Sequence, residues 1–390
     1  MRELTSALYR ATQALQDHMG SVAWAAYTIG DSVMRASVDV LADAADADRW
    51  RRTIAQLANN LSVFRLVKDV NEVLDIPATG VFELADLVER AYALGQYPDL
   101  WAVEGLGHVY ADRYWQEGDR FHNILDNEHA RGIPRSSLTM LHAGVGLSLA
   151  RHVLGGATPF DAPEEFRARA RLFVEMCREN ALPGYEGAAI ESLGLVTRTW
   201  HAQLMRPLDA SLRETDARAR EHFWHGAGRA LYFHPFYIVP GALSPWRATD
   251  DEPPDQIARL NMKAGLAWAT VLVNCRQPDI LVQLIRERGA SLVEDDAFAS
   301  GVAAAIVMAS DVTPGDEYIE ALAGYSPETA PDVASRWEAL IGAPSRSGLL
   351  AQPVLAEAGG LGEVFRYQRF PDWFERAGHA DRAATRDYVH

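Results

Sequence analysis

Apolar residues recur every three or four positions through most of this chain, which is the spacing of one buried helix face. Leu4 and Leu8 follow this spacing near the start, and residues 54–64 repeat it. A further amphipathic run over 81–94 stops at Gly95, a residue that commonly ends helices. The alternation of apolar and polar residues that is typical of strands is scarce. The pattern therefore predicts an all-α protein.

Six short glycine motifs punctuate the middle of the chain at nearly even spacing. Their first glycines stand at positions 105, 144, 187, 226, 265 and 301, in steps of 39, 43, 39, 39 and 36 residues. A period of this length is typical of a stacked supersecondary unit. Each unit has room for two helices, one with the glycine motif and one that is amphipathic and charged, as in 164–180 and 278–288. The motifs read EGLG (104–107), AGVG (143–146), EGAA (186–189), HGAG (225–228), AGLA (264–267) and SGVA (300–303).

The predicted architecture is a set of about five to seven helical hairpins of about 39 residues, forming an α/α solenoid or a closed α/α toroid. We expect residues 1–78 to form an N-terminal helical cap, 79–342 the repeat domain, and 343–390 a C-terminal helical segment with a tail. Helix-breaking residues in 248–255 and 343–348 predict loops there. Two prolines in 233–240 predict an extended segment.

The repeated glycines need an explanation, because each costs about 1 kcal/mol relative to alanine inside a helix. One explanation is structural: without a side chain, neighbouring helix backbones approach closely. The other is functional: glycines near a helix start leave amide groups free to meet an anion or a ligand oxygen. The motifs are not dinucleotide-binding fingerprints, because no strand precedes them and no third glycine is correctly placed.

Composition narrows the classes of partner. The net charge of −16 argues against a nucleic-acid partner and against docking on anionic lipid by charge alone. Cys177 and Cys275 lie far apart without metal-binding spacing, so neither a disulfide framework nor a cysteine-built zinc site is expected. The apolar stretch 21–41 contains three charged residues, which argues against a membrane span. With no signal-peptide pattern, we expect a cytoplasmic protein.

Segments 101–107 (WAVEGLG), 223–233 (FWHGAGRALYF) and 277–285 (QPDILVQLI) carry a family resemblance. They resemble the aromatic-Glu-Gly-x-Gly opening, the Gly-x-Gly-Arg-Ala-Leu-aromatic-Phe signature and the Pro-Asp turn of one conserved family. That family has no known function and is encoded in enediyne polyketide biosynthesis gene clusters. The similarity covers about residues 80–325.

The chain departs from the family pattern in three ways. The first 75 residues have no counterpart, the motif at 186–189 lacks its second glycine, and the Pro-Asp turn follows the Gly265 helix. The resemblance implies a role in building a bacterial specialised metabolite, together with membrane and secreted-type proteins of the same cluster. No catalytic residue of the family is assigned, so none is carried over.

Polar side chains flank the glycine motifs, and they converge if the motif helices start at one end of a bundle. Histidine and carboxylate groups brought together suit a metal site or general acid–base chemistry. Glu104 and His108 are four residues apart and share a helix face. Glu191 belongs to the converging set. The candidate catalytic residues are Glu104, His108, His142, Glu186, His225 and Arg229.

Each of these candidates also has a structural explanation. A carboxylate just before a glycine motif, as at Glu104 and Glu186, favours a helix N-terminus by electrostatics. His225 fits a hydrogen-bonded core histidine. Arg229 fits a buried ion pair with one of the glutamates, since arginine is the preferred cation for such pairs.

Aromatic residues are frequent at or near the motif helices. They suit the lining of an apolar ligand pocket, and they equally suit plain core packing. The candidate ligand-binding residues are Trp101, Tyr185, Trp224, Tyr232, Phe233 and Trp268.

Three functional hypotheses stay open at this point. The first is a biosynthetic protein that acts on or binds a hydrophobic, polyene-like intermediate in an aromatic-lined pocket. The second is a non-catalytic helical-repeat scaffold that assembles pathway proteins, a membrane-bound one among them. The third is a metal-dependent oxygenase that uses the histidine and glutamate residues. The sequence assigns neither a metal nor a cofactor.

Overall fold

The computed structural model describes residues 44–77, 82–115, 120–234, 244–328, 330 and 332–369. Most of the predicted N-terminal cap, the extended segment from 235 onward and the predicted tail lie outside these residues. No strand occurs within the described ranges, and helices make up most of them. The all-α class is therefore confirmed.

The helices are numbered along the described part of the chain. Single 3-10 turns cover Glu128–Ala130, Arg135–Ser137, Ala202–Leu204 and Leu361–Phe365, and a π-helical turn covers Glu338–Gly342. The α-helices are α1 (Ala44–Lys68), α2 (Val70–Val73), α3 (Leu84–Tyr92), α4 (Pro98–Tyr114), α5 (Leu138–Leu154), α6 (Pro163–Asn180), α7 (Glu186–Trp200), α8 (Met205–Thr215), α9 (Ala217–Phe233), α10 (Pro245–Asp251), α11 (Gln256–Asn274), α12 (Pro278–Leu292), α13 (Ala297–Val312), α14 (Glu317–Gly324), α15 (Ala334–Trp337) and α16 (Ala343–Ala358).

The glycine-bearing helices pack against one another in chain order. Helix α4 lies on α5, α5 on α7, α7 on α9, α9 on α11, α11 on α13, and α13 on α16. Helices without the motif alternate with them along the chain, and α3, α6 and α8 each pack against the glycine helix that follows. The apolar core is continuous through these helices.

The Gly-x-Gly motif serves two helix contacts at once. A Cβ atom on Gly226 of α9 would lie 2.1 Å from the Glu191 carbonyl oxygen of α7. A Cβ atom on Gly228 would lie 2.0 Å from the Met262 carbonyl oxygen of α11. Residues two apart on an α-helix project about 200° apart, so one glycine faces the preceding helix and the other the following one. The motif therefore sets two close backbone crossings.

The same division holds in α5. A Cβ atom on Gly144 would lie 2.0 Å from the Glu104 carbonyl oxygen of α4, and one on Gly146 would lie 2.1 Å from the Ala189 carbonyl oxygen of α7. In five of the six motifs the first glycine lies beyond the first turn, so its amide belongs to the helical hydrogen-bond ladder. Close backbone approach therefore accounts for these glycines, and free amides at a helix start do not.

The remaining motif, EGAA (186–189) at the start of α7, has a different neighbour. A Cβ atom on Gly187 would lie 2.1 Å from the Gly362 carbonyl oxygen, in the segment that follows α16. That segment, residues 361–369, crosses α7 and α13. The Gly362 amide donates to the Gly184 carbonyl (2.7 Å), and the Ser300 hydroxyl donates to the Gln368 carbonyl (2.8 Å). The C-terminal segment thus closes over the first turn of α7.

Two predicted loops are wrong in part or in full. Residues 248–251 belong to α10. Ser244 is the N-cap of this helix, and its hydroxyl accepts a hydrogen bond from the Arg247 amide in the first turn. Residues 343–348 begin α16, where Pro344 lies in the first turn and its missing amide proton costs nothing. Gly348 lies inside α16. A Cβ atom there would lie 2.7 Å from the Ala303 carbonyl oxygen, so the close packing of α16 on α13 explains why a glycine occupies this position.

Cys177 and Cys275 are both free thiols in the core, and burial raises the pKa of each. Within the described ranges, every helix is too short or too polar to cross a membrane.

Replacing a crossing glycine with alanine tests the backbone contacts. In Gly265→Ala, the new Cβ would lie 1.9 Å from the His225 carbonyl oxygen, so we expect the free energy of unfolding to fall by about 3 kcal/mol. Urea unfolding measures this change. Gly324→Ala is the matched control, since its Cβ meets nothing within 4 Å and should change stability by less than about 0.5 kcal/mol. Equal stability of the two variants would contradict the close crossings.

Candidate functional site

Four polar side chains form one buried network between α4, α7 and α9. The Arg229 Nη1 atom donates to Glu191 Oε2 (2.9 Å), and its Nη2 atom donates to Glu104 Oε1 (3.0 Å). The His225 Nδ1 atom lies 3.0 Å from Glu191 Oε1. Each of these residues is at most 2% exposed. We call Glu104, Glu191, His225 and Arg229 the central polar cluster.

The helix crossings position this cluster. His225 and Arg229 are four residues apart on α9 and so lie on one face of that helix. Gly226 brings the α9 backbone into contact with Glu191 on α7, so the Glu191 side chain reaches both His225 and Arg229. Glu104 lies just before Gly105 on α4. The motifs that set the backbone crossings therefore also assemble the network.

The environment of the cluster shifts the pKa values of its two carboxyl groups in opposite directions. Burial raises the pKa of Glu104, and the pull of Arg229 does not offset it. Burial acts in the same direction on Glu191, but Arg229 and the bond with His225 outweigh it and hold the pKa of Glu191 below its usual value. For Arg229, burial opposes the charge, yet both carboxylates together raise its pKa. The cluster thus holds an ionised Glu191 beside a cationic Arg229.

His225 is a neutral imidazole in this setting. Burial lowers its pKa, and the neighbouring Glu191 carboxylate does not restore it. An ionised carboxylate only accepts hydrogen bonds, so the His225 Nδ1 atom must carry the proton that it donates to Glu191. The His225 Nε2 atom then holds the free lone pair. This is the tautomer that a histidine base requires.

Aromatic rings surround the cluster. The Arg229 Cζ atom lies 4.4 Å from the centre of the Trp268 ring, a cation–π contact. The Trp268 ring centre lies 6.5 Å from that of Trp101 and 6.0 Å from that of Phe365. Phe233 packs edge-on against Trp101 at 6.5 Å. We call Trp101, Phe233, Trp268 and Phe365 the aromatic shell.

Several polar atoms of the cluster and shell have no hydrogen-bond partner among the described residues. They are Nε2 of His225, Nε of Arg229, and Nε1 of both Trp101 and Trp268. Most buried polar atoms in proteins are paired, and each unpaired one costs about 1–3 kcal/mol. Four unpaired nitrogens among side chains that all contact Trp268, or belong to it, mark this region as the candidate site.

His142 lies elsewhere and is fully paired. Its Nδ1 atom donates to the Leu138 carbonyl (2.6 Å), and its Nε2 atom accepts from the Leu182 amide (2.9 Å). The ring stacks on Tyr185, with 5.0 Å between ring centres. Burial lowers the pKa of His142 to about 4. These contacts make His142 a link between α5 and the turn before α7.

Glu186 and His108 are also held outside the cluster. The Glu186 carboxylate accepts from the Gly184 amide at the start of α7 (3.0 Å), in line with the predicted helix-start explanation. The His108 Nε2 atom lies 3.5 Å from Asp112 Oδ2 on the same helix. Of the six candidate catalytic residues, the structure brings together Glu104, His225 and Arg229.

The aromatic candidates divide in a similar way. The Trp224 indole donates to Asp209 on α8 (2.7 Å), and the Tyr232 hydroxyl accepts from Asn274 on α11. Tyr185 stacks on His142, as described above. Trp101, Phe233 and Trp268 belong to the aromatic shell.

Sequence reasoning missed two members of the site. It placed Glu191 among the converging side chains but not among the catalytic candidates, although Glu191 joins His225 to Arg229. Phe365 follows no motif, and its position depends on the fold of the 361–369 segment. The His222 Nδ1 atom donates to the Phe365 carbonyl (2.9 Å), which holds this residue over the cluster.

The described ranges contain no group of three or more His, Cys, Asp or Glu side chains that could hold a metal ion. The ligand set that the oxygenase hypothesis requires is therefore absent from the described part of the chain.

Comparison with known protein families, with curated proteins and with solved structures gives no match to this chain. Its chemistry is therefore inferred from the geometry of these residues.

Neutralising the two carboxylates one at a time tests their different acidities. At pH 7, Glu191→Gln should lower the free energy of unfolding by about 3 kcal/mol, because it leaves a buried cation poorly compensated. Glu104→Gln should cost less than Glu191→Gln, because burial raises the pKa of Glu104 whereas Arg229 and His225 hold the pKa of Glu191 below its usual value. Denaturant unfolding measures both values.

The pH dependence of these variants follows from the signs of the shifts. Glu191 has a lowered pKa in the folded state, so its contribution is present above its unfolded pKa of about 4.3. That contribution is lost as the pH falls through the folded pKa, and the difference between wild type and Glu191→Gln should shrink there. A larger cost for Glu104→Gln than for Glu191→Gln at pH 7 would contradict the assignment.

Proposed function

We propose that this chain binds a hydrophobic, polyene-like intermediate at the central polar cluster and moves a proton on it, with His225 as the base. The observation that carries this proposal is the His225 imidazole, whose Nδ1 atom is bound to Glu191 and whose Nε2 atom is buried and unpaired. Glu191 fixes the tautomer, and its charge stabilises the imidazolium that forms when Nε2 takes a proton.

Energetics support a chemical role for the cluster. Burying charged groups is expensive, and well-packed apolar residues of similar volume often give equal or greater stability. A network with four buried members, two of which have unpaired atoms, is therefore a poor device for stability alone. Shifted pKa values gathered at one place are typical of catalytic sites. The two carboxyl groups have pKa values shifted in opposite directions, as an acid–base pair requires.

The aromatic shell supports a hydrophobic ligand. Trp101 and Trp268 are fully buried, and flat rings of this kind complement a conjugated chain. Phe365 lies against both His225 and Trp268 and comes from the 361–369 segment. Gly359 precedes this segment in a left-handed conformation at φ 65°. Because His225 is fully buried, binding of a ligand requires this segment to move aside.

The biosynthetic setting rests on the resemblance to the enediyne-cluster family. Segment 223–233, which carries the clearest part of that resemblance, contains both His225 and Arg229. The intermediate is on this basis a polyketide-derived molecule of a bacterial specialised-metabolite pathway.

The finer architecture proposed with this function is a repeat of helical hairpins closed as an α/α toroid. Contacts between early and late glycine helices support closure. The Tyr97 hydroxyl donates to the Val273 carbonyl at the end of α11 (2.8 Å), and the Thr139 hydroxyl donates to Asp311 on α13 (2.6 Å). An open solenoid would keep such helices apart, because each repeat contacts only its neighbours.

A second candidate function is a non-catalytic scaffold for pathway proteins. The observation in its favour is the dense packing of the shell, whose rings contact one another around the cluster. A scaffold needs a rigid, filled core, and it would leave the cluster inaccessible to small molecules.

Ligand protection of His225 tests the proposal. The polyene diphenylhexatriene should bind saturably to the purified protein, measured by its fluorescence. Diethylpyrocarbonate labels histidine nitrogens, and bound polyene should reduce the labelling of His225, read by peptide mass spectrometry. His122 is the matched control, because its side chain is 56% exposed and should label equally with and without the polyene.

The outcomes separate the two functions. Saturable polyene binding with selective protection of His225 supports the binding site. Absence of saturable binding, or labelling of His225 that the polyene does not change, contradicts the binding site and favours the scaffold.

A further inference from the structure

Two buried tryptophans leave their only hydrogen-bonding group without a partner. Trp101 and Trp268 are 0% exposed, and their Nε1 atoms find no acceptor among the described residues. An indole nitrogen can only donate, so water or a ligand acceptor is required to satisfy it. The two other tryptophans that are buried within the described ranges are paired: the Trp224 indole donates to Asp209 and the Trp337 indole donates to the Tyr325 carbonyl.

A third unpaired donor lies against these rings. The Arg229 guanidinium stacks over Trp268, and its Nε atom has no partner among the described residues. The side chains that carry the three donors are thus in contact with one another, since the Trp101 and Trp268 rings pack edge to face. Three unpaired donors on side chains in contact favour a ligand atom with free lone pairs, and oxygen is the usual acceptor.

The charges of the cluster decide which oxygen group fits. Both terminal nitrogens of Arg229 are already bound to carboxylates, one to Glu191 and one to Glu104. The neutral imidazole of His225 adds no positive charge. The cluster therefore has no cationic charge left to balance an anion, and a ligand carboxylate would lie beside the ionised Glu191.

We propose that the ligand carries a neutral carbonyl oxygen that accepts hydrogen bonds from the Trp101 and Trp268 indoles and from Arg229 Nε. A carbonyl oxygen has two lone pairs and accepts hydrogen bonds from two or three donors without adding charge. This inference rests on the proposed function, and it narrows the substrate class to conjugated hydrophobic molecules with a ketone, aldehyde, ester or thioester group.

Three fluorescent polyenes distinguish the alternatives. Diphenylhexatriene has no oxygen, parinaric acid has a carboxylate at neutral pH, and methyl parinarate has a neutral ester carbonyl on the same chain. Titration at pH 7.5 gives the dissociation constant of each. We expect methyl parinarate to bind about 10-fold more tightly than parinaric acid, because the cluster lacks charge to balance the carboxylate.

Tryptophan-to-phenylalanine variants test the donors, because they keep an aromatic ring and remove the indole N–H. Trp268→Phe and Trp101→Phe should each weaken methyl parinarate binding by about 2- to 10-fold more than they weaken diphenylhexatriene binding, because both polyenes lose ring contact but only the ester loses a hydrogen bond. Trp337→Phe is the matched control, since this buried indole is already bound to the Tyr325 carbonyl. It should change the affinity for neither polyene.

The failures of the two proposals are distinguishable. If diphenylhexatriene binds but the ester has no advantage over the acid, or Trp268→Phe and Trp101→Phe weaken all polyenes equally, the carbonyl inference is overturned and the hydrophobic site stands. If none of the three polyenes binds, both are overturned. Thermal unfolding of each variant identifies one that fails to fold, and the other tryptophan variant then decides.

Discussion

Backbone contact at the glycine crossings is the constraint on which the rest of this structure depends. Gly226 brings α9 onto α7 and Gly228 brings it onto α11, each without room for a Cβ atom. Side chains beside these crossings then come within bonding distance of one another, as Glu191 does with His225. The same short spacing sets the helix packing and assembles the central polar cluster.

The sequence predicted what local spacing and composition determine. The glycine period indicated alternating helices, and the amphipathic runs placed α3 and α6 close to their observed bounds. It did not predict α16 over 343–348, where tertiary contact at Gly348 and a first-turn proline override local helix-breaking tendencies. The position of Phe365 could not be read from any motif, because it depends on contacts with residues far along the chain.

The central polar cluster contains the buried ion pair that we expected as the structural explanation of Arg229, but ion pairing does not explain all of its atoms. Arg229 forms this ion pair with two glutamates, Glu104 and Glu191. What ion pairing leaves unexplained is the unpaired Nε2 atom of His225 and the unpaired indoles around it. Those atoms cost stability in a closed core, and a bound ligand with a hydrogen-bonding group would satisfy them.

The most direct test replaces the whole cluster at once, with Glu104→Met, Glu191→Met, His225→Leu and Arg229→Met in one protein. The free energy of unfolding is then compared with that of the wild type. If the cluster serves chemistry and not stability, the free energy of unfolding of the apolar variant should lie no more than about 2 kcal/mol below that of the wild type, or should exceed it. A loss of more than about 4 kcal/mol would show that the cluster holds the fold together, and would contradict the account.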